Sequence, residues 1–125
     1  MRVLSVLCLS ATLLMSGSAC FRARGAERPE EEPPTIEVRN RYLGAVVVYL
    51  ITSGNAQRLG MIQSNRTENF RFPVGVNPYG PGLRLVADPV GDFEAYTSET
   101  LSVSSGALIV LTIENELRHS NVIVR

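Results

Sequence analysis

The sequence predicts an all-β domain, an antiparallel β-sandwich of seven to eight strands, behind an export signal and a disordered tether. Three observations predict it. From Thr35 onward, apolar and polar side chains alternate with period two. Turn residues interrupt the alternation at short intervals. Two runs, residues 44–52 and 107–113, are apolar at nearly every position, as strands buried on both faces are. The same strands rolled into a closed barrel are the alternative architecture. Two strands apolar on both faces fit a sandwich better than a barrel.

The strands follow in order. Ile36 and Val38 alternate with Glu37 and Arg39, and Asn40-Arg41 is a turn. Gly44 to Thr52 is rich in β-branched residues and is the expected central strand. Ser53-Gly54-Asn55 turns the chain into Gln57–Gln63, with Leu59 and Met61 expected on one face. Ser64-Asn65 turns again, and Thr67–Pro73 places Phe70 and Phe72 inward. Residues 73–82 form a loop by their Pro and Gly content. Leu83, Leu85 and Ala87 form the next inward face, and residues 88–94 are read as a second loop. A strand over Tyr96–Val103, a turn at Ser104-Ser105-Gly106, the strand Ala107–Ile113, a polar connection and a last strand over Asn121–Arg125 complete the domain.

Residues 1–19 have the layout of a signal peptide, with Arg2 as the charged start and Val3–Met15 as the apolar stretch. That stretch is shorter than the roughly 20 apolar residues of a membrane-spanning helix. Ser16-Gly17-Ser18-Ala19 and Cys20 follow. This junction resembles the bacterial lipoprotein signal, although Gly17 stands where that family usually has Leu. The resemblance implies a diacylglycerol thioether on Cys20, cleavage before it, and a membrane anchor through the N-terminal lipid. The alternative is an ordinary secretory signal that leaves Cys20 unmodified. In the lipoprotein family an Asp after the cysteine often retains the protein at the inner membrane. Phe21 stands there instead, so the resemblance implies the outer membrane, facing the periplasm or the cell surface.

Residues 20–34 read as a lipid-anchored flexible tether, and residues 35–125 as the sandwich domain. The tether carries Arg22, Arg24 and Arg28, then Glu30-Glu31-Glu32 between prolines. It has too little apolar surface to offset the entropy of ordering. Arg58-Leu59-Gly60, Phe70-Arg71-Phe72-Pro73 and Ala87-Asp88-Pro89 also resemble segments of small uncharacterised bacterial lipoproteins with an immunoglobulin-like or transthyretin-like sandwich domain. That resemblance supports the fold and implies no activity.

Composition narrows the function. Twelve basic residues, all Arg, balance twelve acidic ones, so the basic excess that drives nucleic-acid binding is missing and no nucleic-acid partner is expected. Cys8 falls within the signal, which leaves Cys20 alone in the mature chain and permits no internal disulfide. No cofactor is expected.

Few residues suggest chemistry. His119 titrates near neutrality, but catalysis also requires a nucleophile and an orienting group beside it. Ser120 is only its neighbour in sequence. Asp88, Asp92 and Glu94 share one segment and bring oxygen ligands of the kind calcium takes, without an EF-hand spacing. Asp88 and Glu99 are carboxylates of the type that hydrolyse glycosides, with nothing in the sequence to pair them. Asn65-Arg66-Thr67 matches a glycosylation acceptor and reads equally as a turn. Arg58, Arg71 and Arg84 fall on outward strand positions and form one stripe if their strands are neighbours; Arg forks suit carboxylate or phosphate groups. The expectation is a non-catalytic envelope module that meets another envelope protein, with Arg58, Arg71, Arg84, Asp88 and Asp92 as candidate contacts. The alternative expectation is a small ligand or ion held by loops 73–82 and 88–94.

Overall fold

A computed structural model describes residues 32–125. The signal segment, Cys20 and most of the tether lie outside the described residues. Eight strands form two four-stranded sheets with no α-helix among the described residues. The strands are β1 (Thr35–Asn40), β2 (Val46–Thr52), β3 (Asn55–Ile62), β4 (Thr67–Arg71), β5 (Arg84–Pro89), β6 (Tyr96–Thr97), β7 (Leu108–Ile113) and β8 (Asn121–Val124). One sheet has the order β4-β1-β7-β8 and the other β3-β2-β5-β6. The expected sandwich is the one observed. Five of its six ladders are antiparallel, and β1 runs parallel to β7.

The alternation explains the core. Ile36, Val38, Val46, Val48, Leu50, Leu85, Ala87, Ile109, Leu111 and Ile113 point between the sheets and are buried. Each such aliphatic side chain contributes about 1.5–3 kcal/mol when fully buried. The two doubly apolar runs become β2 and β7, each interior to its sheet. On the outer side of β7, Val110 and Thr112 are also buried.

Three expectations about the elements change. Leu59 and Met61 were expected on one face, but a β-bulge shifts the β2–β3 register between Val48 and Tyr49. The extra residue reverses the phase, so Met61 is exposed while Ile62 is buried. The expected Tyr96–Val103 strand stops at Thr97. Ser98 interrupts it by accepting the Leu85 amide on its hydroxyl at 2.9 Å, in place of a backbone carbonyl. The domain also reaches back beyond Thr35, since Glu32 O accepts the Gly106 amide at 2.7 Å and Pro34 is buried.

Two buried features fix how the sheets are joined. Asn40 is only 1% exposed. Its Nδ2 donates to the carbonyls of Gly44, Ile62 and Gln63 at 2.9, 3.0 and 3.2 Å, and its Oδ1 accepts the Tyr42 amide at 2.9 Å. Those partners belong to the β1–β2 and β3–β4 connections, both of which cross between the sheets. The second feature is Gly60, in the bulge. A Cβ placed there meets the Phe70 ring at 2.9 Å, so the absent side chain makes room for the ring.

Substitutions at these two sites test the account. Asn40→Ala leaves several carbonyls without a donor and is expected to lower unfolding free energy by about 2–3 kcal/mol in urea titrations. Asn40→Asp, which turns a carboxylate on the same carbonyls, is expected to cost more at neutral pH and to recover part of the loss in acid. Gly60→Ala is expected to cost about 1–3 kcal/mol by overpacking, and Phe70→Leu in the same chain to return part of it.

Candidate functional site

The strands define two ends of the sandwich. One end carries loops 41–45, 63–66, 90–95 and 114–120. The other carries Glu32, the 53–54 turn, loop 72–83, segment 98–107 and Arg125. The chain therefore enters the domain at the second end. At the first end, Leu43, Val90 and Phe93 are 80%, 59% and 106% exposed.

This apolar tip is held by polar bonds. Val90 N donates to Ala45 O at 2.9 Å, and the Tyr42 hydroxyl donates to Asp92 Oδ2 at 2.8 Å. Asp92 Oδ1 accepts the Phe93 and Glu94 amides at 2.7 and 3.3 Å. Gly91 takes a φ of +82°, a conformation glycine adopts without strain. One carboxylate thus shapes its own loop and fastens it to loop 41–45. Beside the tip, Asp92, Glu94, Asn115, Glu116, Leu117 and Arg118 line a cleft of about 370 Å³. Arg118 is already paired with Glu116 at 2.8 Å, so the cleft is acidic on balance.

The expected site residues are dispersed. Arg58 and Arg84 lie on the outer face of the β3-β2-β5-β6 sheet, paired in register with Tyr49 and Ile51 of β2. Arg71 pairs with Thr35 on β4, on the outer face of the other sheet, so the three arginines form no common stripe. Asp88, expected in a loop, belongs to β5 opposite Val47. Asp92 alone sits at the tip. Among the described residues, no three His, Cys, Asp or Glu side chains gather where a metal ion fits.

The alternative expectation of one ligand between loops 73–82 and 88–94 is corrected by the topology. The six residues of β5 run from one loop to the other, and at about 3.3 Å per residue that sets them roughly 20 Å apart, at opposite ends. Asp88 and Glu99 are also separated: Ser98 N bonds Leu85 O and Leu101 N bonds Leu83 O, which puts Glu99 level with Arg84. His119 is exposed, with Glu116 Oε2 at 3.6 Å. The Ser120 hydroxyl is engaged elsewhere, accepting the Glu114 amide at 2.9 Å. Sequence reasoning missed the tip because Leu43, Val90 and Phe93 are isolated apolar residues in loops; the Val-Gly-Asp-Phe order around Gly91 was the available signal.

No protein-family model and no curated protein matches the chain. Among solved structures, an NMR structure of a protein from Eubacterium rectale is similar, at 16% sequence identity and a TM-score of 0.49, over 80% of this chain and 94% of that one.

The Tyr42–Asp92 bond sets the pH behaviour of the tip. The donated hydroxyl, with the Glu94 and Phe93 amides, holds Asp92 below the ordinary aspartate range. The same bond, with the nearby negative charge, holds Tyr42 above the ordinary tyrosine value. A depressed carboxylate stabilises the fold above its unfolded pKa and loses that contribution as pH falls through the folded value; a raised phenol stabilises below its unfolded pKa and loses it as pH rises through the folded value. The tie therefore persists across neutral pH and loosens at both extremes. Tyr42→Phe is expected to move the Asp92 carboxyl titration, followed by NMR, upward and to speed amide exchange at Phe93 and Glu94. An unmoved titration would show that the phenol does not hold the loop.

Proposed function

We propose that this protein is a cell-envelope lipoprotein, anchored in the membrane through Cys20, whose sandwich is a non-catalytic module that meets another envelope protein at its apolar tip. The observation that carries this reading is the separation of roles between the two ends. The chain enters at the Glu32 end, while the exposed Leu43, Val90 and Phe93 are held at the other, clear of the anchor. A loop whose backbone is already tied by hydrogen bonds gives up little further backbone freedom on binding, and an exposed aromatic residue carried on it has the character of an interface anchor. The acidic cleft beside it calls for a cationic rim on the partner. The anchor itself is supported by the sequence around Cys20. Among the described residues, no helix is long and apolar enough to cross a membrane.

A photo-crosslinking residue at position 93 in the full chain, expressed in the bacterial envelope, tests the reading. It is expected to yield a discrete protein adduct, while the same residue at Val74, equally exposed at the anchored end, yields none. Equal labelling from both positions, or none from either, would refute the tip as the contact. Mass spectrometry of the mature N-terminus is expected to find Cys20 carrying a diacylglyceryl group.

A further inference from the structure

The four edge strands of the sandwich are not equally protected. β3 is broken by the bulge and carries Arg58. β4 carries Glu68 and Arg71, and β6 is two residues long. Charges, bulges and shortness are the usual means of blunting an open edge. β8, Asn121-Val122-Ile123-Val124, is four residues long but carries neither a charge nor a bulge.

Its free hydrogen-bonding groups can be assigned from the β7 ladder. Arg125 and Leu108 exchange both backbone bonds, at 2.9 and 3.1 Å, and the pairing continues through Ile123 opposite Val110 and Asn121 opposite Thr112. In an antiparallel ladder, bonded and non-bonded pairs alternate. Ile123 and Asn121 therefore turn their amides and carbonyls to β7, and Val122 and Val124 turn theirs to the open edge. Two donors and two acceptors, two residues apart, form a self-complementary set.

We propose that β8 joins two copies of this chain into a homodimer, by antiparallel pairing of β8 with β8 about a two-fold axis at Ile123. Val122 of each copy bonds Val124 of the other, and both free amides and both free carbonyls of each strand are satisfied. The two Ile123 side chains, 48% exposed in a single copy, meet across the axis as a close non-bonded pair. Beside Ile123 on the same outer face Val110 is already buried, which leaves Ile123 as the exposed large apolar side chain of this ladder. The charges agree as well. No charged side chain stands on β8 itself, and the register sets Arg125 of one copy opposite Asn121 of the other. There it meets no like charge on the partner's β8.

This inference is independent of the partner proposed for the tip. Antiparallel pairing projects the two tips from opposite ends of the pair, clear of the joint.

The full chain in mild detergent is tested by sedimentation and by cysteine crosslinking. The parent protein is expected to sediment at twice the chain mass. Ile123→Cys is expected to crosslink to a dimer on mild oxidation, whereas the mature parent, whose one cysteine, Cys20, carries the lipid, and Asn121→Cys are expected not to. Ile123→Glu, which places two carboxylates across the axis, is expected to give the single-chain mass with a cooperative melting transition lowered only by the loss of pairing. A parent that stays at single-chain mass at every concentration would overturn the proposal. Equal crosslinking from positions 121 and 123 would do so too, as would an Ile123→Glu protein that remains paired. None of these outcomes depends on whether position 93 captures a partner.

Discussion

One buried amide holds the sandwich together at the end where its two sheets are joined. Layers packed through aliphatic side chains alone can slide, because hydrophobic contact has no direction. The β1–β2 and β3–β4 connections both cross between the sheets at the Asn40 end, and the Asn40 side chain bonds into both of them. Three carbonyls share its two protons, while its oxygen takes the Tyr42 amide. No buried side-chain polar atom among the described residues lacks a partner, so the junction is closed without an unmet donor or acceptor. A satisfied polar network of this kind fixes one arrangement of layers that a purely apolar core leaves open.

The same network extends to the surface. Tyr42 takes its position from Asn40 through its amide, accepts the Ser64 hydroxyl on its carbonyl at 2.6 Å, and donates its own hydroxyl to Asp92. Asp92 in turn orders the amides of Phe93 and Glu94. A continuous chain of hydrogen bonds thus runs from the buried junction to the most exposed aromatic residue of the domain. The loops at this end are short and tied, which keeps the apolar side chains from folding back onto the core. Their exposure is built by the fold rather than left over from it.

How much of this was legible in the sequence depends on what each residue competes with. The strands were legible where inward residues are aliphatic and outward ones polar, as at Ile36 and Val38 or Leu83 and Leu85, because burial dominates and period two is its direct trace. The pattern misled at Leu59 and Met61, since a bulge adds a residue without altering composition; Gly60 was the only sign, and its meaning lies in the Phe70 ring across the sheet edge. Asn40 read as an ordinary turn residue because its partners at Ile62 and Gln63 are more than twenty positions away. The arginine stripe failed for a topological reason. Outward alternation assigns a residue to an outer face but does not say which of two sheets owns it, and β4 joins the sheet opposite β3 and β5.

The two long sides of the sandwich differ in a way that follows from the path of the chain. On one side, β3 and β4 are consecutive, and the turn between them closes the gap, with Gly60 and Phe70 packed across it. On the other, β6 ends after two residues because Ser98 replaces a backbone acceptor with its hydroxyl. β8 then faces a groove instead of a neighbouring strand. The C-terminal strand satisfies its inward amides on β7 but has no second neighbour among the described residues, although its composition of Val, Ile and Val is that of an interior strand. A sheet that ends in an interior-type strand has more apolar surface and more backbone hydrogen-bonding capacity than one copy of the chain uses.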